Sequence, residues 1–88
     1  MIAVIIDNVN SKEILDDIAN YRLVFFINTK KRASKIYTAI KKRVKGIEIK
    51  VNVDDCDLIE KIAKGIASEF AEFKEPIHIW IKDKCIVY

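Results

Sequence analysis

Eighty-eight residues, 51% of them hydrophobic and 33% charged, hold enough apolar matter for one core and too much charge for a membrane protein. No apolar run approaches the roughly 18 residues that span a bilayer. Two glycines and one proline leave little room for linkers or for a glycine-rich phosphate loop. The chain therefore reads as a single domain over residues 1–88.

Residues 2–6, Ile-Ala-Val-Ile-Ile, are an unbroken β-branched run, which predicts a strand buried on both faces. This apolar start has no basic leader or small-residue cleavage site, so the expected compartment is the cytoplasm. Asp7-Asn8-Val9-Asn10 reads as a turn. Asn10, with Glu13 three residues later, resembles a capping box and predicts a helix over about 11–20. Ile14, Leu15 and Ile18 share one face of it. Residues 23–27, Leu-Val-Phe-Phe-Ile, predict a second buried strand. Thr29 is then the expected N-cap of a helix over about 30–45, with Ala33, Ile36, Tyr37, Ile40 and Val44 as its apolar stripe. Gly46 stands where a C′ glycine belongs.

Residues 47–53 alternate. Ile47, Ile49, Val51 and Val53 face one way and Glu48, Lys50 and Asn52 the other, as in a half-wet strand. Asp54, Asp55 and Asp57 place carboxylates at the start of a third helix, over about 56–73, where the helix dipole favours them. Pro76 opens a strand at 77–81, Lys82-Asp83-Lys84 is short enough for a hairpin turn, and Cys85–Tyr88 is a last, antiparallel strand.

The order β-α-β-α-β-α-β-β implies a small α/β sandwich with a mainly parallel sheet and an antiparallel C-terminal hairpin strand. Strands one and two are apolar throughout and belong in the centre, while half-polar strand three belongs at an edge. The order 3-2-1-4-5 satisfies this. Its rival, 2-1-3-4, would leave fully apolar strand two at an edge.

Cys56 and Cys85 are too few and too far apart for a zinc site, and read as small buried apolar residues. Seventeen isoleucines, abundant lysine and no glutamine fit a thermophilic archaeon or one of its viruses, although an AT-rich genome produces the same bias.

The net charge of +3 conceals an uneven distribution. Between Ile18 and Ile47 there is no acidic residue, and Arg22, Lys30, Lys31, Arg32, Lys35, Lys41, Lys42, Arg43 and Lys45 give that stretch a charge of +9. The remainder carries −6. Cations in the last turn of the second helix suit its dipole. On the first turn, Lys30, Lys31 and Arg32 would each cost roughly 0.3–1 kcal/mol at low salt. A bound anion would offset that cost. Free backbone N–H groups, Asn28, the Thr29 hydroxyl and three cations would then hold a phosphate. Lys35, Lys42 and Lys45 would extend the contact along the outer face.

The segment Leu23–Ile27, Lys30–Lys45, Ile47–Val53 resembles the Alba family of archaeal chromatin proteins: a strand leads into a basic helix and then a charged alternating strand. The resemblance covers residues 22–53 and implies contact with nucleic acid. A helix follows where that family has a long β-hairpin.

Acidic residues after strands one and three suggest an alternative. Asp7, Asp54 and Asp55 at carboxyl strand ends could hold Mg²⁺, in a pattern loosely similar to Toprim, PIN-like and receiver domains but without the further acids those carry. His78 shares a strand face with Trp80. Together with Cys85, Ile86, Val87 and Tyr88 it would lie at an edge able to pair with a second copy across a two-fold axis.

The leading expectation is a non-enzymatic binding module with no cofactor. It contacts nucleic acid, or another polyanion, through residues 30–45, is a homodimer, and has no membrane partner. The alternatives are a Mg²⁺-dependent nuclease or phosphotransfer domain, and a protein-interaction or assembly domain.

Overall fold

Five consecutive apolar residues leave no polar face, so β1 (Ile2–Ile6) needs cover on both sides. In the computed structural model every one of its residues is fully buried. The structure describes residues 1–52, 55–70, 75–81 and 84–87, with backbone only at Cys56 and at 84–87. β2 (Leu23–Asn28) lies parallel to β1 on one side, with Ile2 opposite Leu23, and β4 (Ile77–Ile81) lies parallel on the other, with Ile2 opposite Ile77. β3 (Ile47–Lys50) pairs parallel with the outer side of β2.

The parallel sheet thus has the order β3-β2-β1-β4, with the two fully apolar strands in the middle as their composition requires. The backbone of β5 (Lys84–Val87) runs antiparallel along β4, with His78 opposite Val87. The expected turn at Lys82-Asp83 and the last residue, Tyr88, lie outside the described residues, as do Val53, Asp54 and residues 71–74.

Three crossovers cover the sheet. α1 (Glu13–Asp17), continued by a 3₁₀ turn at Ile18–Asn20, joins β1 to β2, and α2 (Lys35–Arg43) joins β2 to β3. α3 (Cys56–Glu69) leads back past β1 to β4. Right-handed crossovers that progress in opposite directions put α3 on the opposite face. Two cores result. Ala3, Ile5, Val24, Phe26 and Trp80 pack with Ile14, Ile18, Tyr37 and Ile40 beneath α1 and α2. Val4, Ile6, Phe25, Ile27, Ile77 and Ile79 pack with Ile59, Ala63 and Ala67 of α3.

Several element boundaries differ from those expected. α1 starts at Glu13 with Lys12 in the N-cap position and no side-chain cap bond, so Asn10 and Glu13 form no capping box. Val9 explains this. It is fully buried and its N–H bonds to the Ile6 carbonyl, so the chain turns inward there before it can start a helix. β3 ends at Lys50 rather than 53. Ile49, and Val51 just beyond the strand, join the α3-side core, while Ile47 is 49% exposed at the sheet edge.

α2 is the largest departure: it begins at Lys35, not Lys30, and ends at Arg43. Gly46 likewise has another reason than capping. A Cβ there would stand 2.5 Å from the Val24 carbonyl oxygen and 2.6 Å from the Phe26 ring, so glycine is required by close approach to β2. No described helix is long and apolar enough to cross a membrane.

Candidate nucleic-acid interface

The expected phosphate site at Thr29 is occupied by the protein's own carboxylate. Asp7, 2% exposed at the end of β1, accepts a 2.6 Å hydrogen bond from the Thr29 backbone N–H and a bond from the Thr29 hydroxyl, 2.9 Å from Oδ2. The Thr29 oxygen in turn accepts from the Lys31 N–H at 3.1 Å. Such charge-assisted bonds are what a buried carboxylate needs. Thr29 is therefore a partner of Asp7 rather than the N-cap of α2. Ser34 takes the cap, with its hydroxyl accepting from the Tyr37 N–H at 3.0 Å and its own N–H bonded to the Asp7 carbonyl.

This moves Lys30, Lys31 and Arg32 off the helix into a loop, so the helix-dipole penalty expected of them is not incurred. Starting at Ser34 avoids three cations on the first turn.

Asn28 is also engaged internally. Its Oδ1 accepts from the Tyr37 hydroxyl and its Nδ2 donates to Glu48 at 3.5 Å. Glu48 pairs with Lys41, whose ammonium lies 5.6 Å from the Tyr37 ring centroid. Burial, then the charges of Asp7 and Glu48, push the Tyr37 hydroxyl well above the usual tyrosine range. Tyr37 therefore stays a neutral donor. Asp7 and Thr29, and next to them Asn28, Tyr37, Glu48 and Lys41, are thus bonded to one another at the base of the basic loop.

The remaining cations face solvent. Lys30, Lys31, Arg32, Lys35, Lys42 and Lys45 are all exposed. Arg32, Lys35 and Lys42 line a groove of about 540 Å³ together with Ala33, Thr38 and Ala39. Lys35, Thr38, Ala39 and Lys42 follow the helical spacing that puts them on one face. A second groove of about 400 Å³ lies at the carboxyl ends of β2 and β3, lined by Asn28, Thr29, Lys30, Lys50, Val51 and Asn52. Lys31 and Lys45 line neither groove. The sequence reading missed Lys50 and Asn52. Their signal was present, because the order 3-2-1-4 with parallel pairing sets Lys50 opposite Asn28.

No family model, curated protein or solved structure matches the chain. Function must therefore be argued from the site alone.

The acidic residues take structural parts. Asp55 caps α3 by accepting from the N–H groups of Asp57 at 2.8 Å and Leu58 at 3.4 Å. β2 separates β1 from β3, so the strand ends that precede Asp7 and Asp55 are not neighbours in the sheet. Asp54 lies outside the described residues. Among the described residues no three His, Cys, Asp or Glu side chains cluster as a metal site.

The expected dimer edge also changes. Trp80 is 4% exposed in the core under α1 and α2, so its ring is spent inside its own chain. His78 is half-buried, with Nδ1 hydrogen-bonded to the Tyr21 hydroxyl at 2.7 Å. Of Cys85, Ile86 and Val87 only the backbone is described, and Tyr88 lies outside the described residues.

Proposed function

We propose that this chain is a nucleic-acid-binding module that grips backbone phosphates in the groove between Arg32, Lys35 and Lys42, with Lys30 and Lys31 on the adjoining loop. The groove itself carries the reading. Three exposed cations share it with the small side chains of Ala33, Thr38 and Ala39, and none of the three is in an ion pair among the described residues. Small residues let a phosphate backbone come close, and uncompensated cations gain most from meeting one. Elsewhere the fold does use its cations: Arg22 pairs with Glu75, Lys41 with Glu48, and Arg43 donates to the Leu15 carbonyl.

Duplex or structured nucleic acid fits better than a single strand. Among the described residues, Tyr21, Phe25, Phe26, Tyr37 and Trp80 are buried and the Phe70 ring packs on Phe25, which leaves them poorly placed to stack on bases. The commitment of Asp7 to Thr29, and of Asp55 to the α3 cap, favours a binding module over a Mg²⁺-dependent enzyme. The antiparallel C-terminal strand at the outer side of β4 is the edge through which two copies would pair, doubling the basic surface. Sedimentation equilibrium at twice the chain mass is the expected result for that pairing.

The test is a salt titration of binding to a labelled duplex. Affinity should fall steeply with salt, and the combined Arg32→Ala, Lys35→Ala and Lys42→Ala variant should lower the slope by roughly 2–3. A folded protein that binds neither DNA nor RNA at low salt overturns the proposal. A defined complex with an acidic protein instead would establish the assembly reading.

A further inference from the structure

Lys50 sits opposite Asn28 at the carboxyl end of the β2–β3 pair, and beyond it the Val51 N–H still bonds the Asn28 carbonyl at 2.8 Å. That bond holds Val51 and Asn52 beside Thr29 and Lys30, and the four residues line one groove with Asn28 and Lys50. Lys30, Lys50 and Asn52 are exposed there.

Neither lysine has an ion pair among the described residues. The acid nearest in sequence to Lys50, Glu48, is already held by Lys41 and by the Asn28 amide. Those two contacts, and more weakly the charge of Lys50, keep its carboxyl below the usual range. Lys50 thus adds positive potential beside an acid that is already paired. The other half of the groove is the pinned loop. Asp7 fixes Thr29, so Lys30 emerges from a backbone that is already ordered and a ligand would not need to organise it.

We infer that this groove is a second phosphate subsite, in which Lys30 and Lys50 clasp one phosphodiester and the Asn52 side chain donates a hydrogen bond to it. The inference rests on the nucleic-acid reading above and extends it: the bound backbone continues from the α2 groove, past the Lys30–Arg32 loop, onto the carboxyl ends of β2 and β3. Lys30 and Arg32 belong to one loop and line one groove each, so the two subsites are adjacent. The contact is with phosphate and carries no sequence preference.

The experiment compares wild type, Lys50→Ala and the Arg32/Lys35/Lys42 triple-alanine variant for binding to a labelled duplex across a salt series. Thermal unfolding serves as the check on folding. Lys50→Ala should weaken binding several-fold, equally for duplexes of unrelated sequence, and lower the salt slope by roughly 1. Lys50→Arg should restore most of it. Should Lys50→Ala fold poorly, Lys50→Gln, which keeps the stem and removes only the charge, is expected to give the same loss of slope. An unchanged slope in a folded Lys50→Ala, with binding lost in the triple variant, overturns the second subsite and leaves the α2 groove standing. Absence of duplex binding by the wild type overturns both.

Discussion

The Asp7 carboxylate and Thr29 are bound to each other by two donors, the Thr29 N–H at 2.6 Å and its hydroxyl at 2.9 Å. The pair joins the end of β1 to the residue after β2, and so fixes where the basic loop leaves the sheet. Thr29→Val keeps the shape and removes one donor to a buried charge, which should destabilise the protein by about 1–3 kcal/mol. Asp7→Ala removes the acceptor from both donors and should cost at least as much. Urea denaturation measures both; a Thr29→Val midpoint equal to wild type would show the hydroxyl bond to be unimportant.

Ser34, not Thr29, should behave as the helix cap. Ser34→Ala is expected to lower stability by about 0.5–2 kcal/mol, and Ser34→Asp to retain most of it. Helical amide protection by hydrogen exchange should begin after Ser34 in the wild type. Helical chemical shifts at Lys31 to Ala33 would contradict the loop.

Gly46→Ala should destabilise by about 1–3 kcal/mol through overpacking, because its new methyl meets the Val24 carbonyl and the Phe26 ring. Gly65, whose Cβ position is open, provides the control. Gly65→Ala in the middle of α3 should stabilise by about 0.4–1 kcal/mol. Thermal melts of the two variants should therefore move in opposite directions.

Glu75 gives a pH dependence of defined sign. Its hydrogen bonds to Arg22 and to the N-terminal ammonium depress its carboxyl to about 2. A depressed carboxyl stabilises the fold above its unfolded value near 4.5 and loses that contribution as pH falls towards 2. The melting temperature of wild type should therefore drop across that window more than that of Glu75→Gln, and added salt should shrink the difference. Parallel curves for the two proteins would show the pair contributes nothing.

The sheet was legible because burial is written into each strand. Ile2–Ile6 and Leu23–Ile27 are apolar without interruption and turned out central, whereas alternating Ile47–Lys50 turned out to be an edge. Helix starts were less so, since they are decided by tertiary contacts. Thr29 and Ser34 are equally good caps by residue type, and what separates them is a carboxylate 22 positions upstream of Thr29. The basic surface was legible in outline, through Arg32, Lys35 and Lys42. The internal bonds of Asn28 and Thr29 were not legible, because a polar residue at a carboxyl strand end looks the same in sequence whether or not it holds Tyr37 or Asp7. Trp80 was misplaced for a related reason. It sits next to the edge strand, yet its face of the sheet is the one that α1 and α2 cover.

β1 has a parallel neighbour on each side, and one of them, β4, arrives with Ile77 opposite Ile2. All of β2, β3 and the three crossovers must therefore be made before β1 has both its neighbours. Until then β1 offers an open, wholly apolar edge, the kind of surface that pairs wrongly or attracts chaperones. Parallel pairing across so long a stretch also slows folding, since loop closure must precede any gain from the contact. During synthesis the vulnerable part of this fold is thus β1, and its protection depends on a strand made long after it.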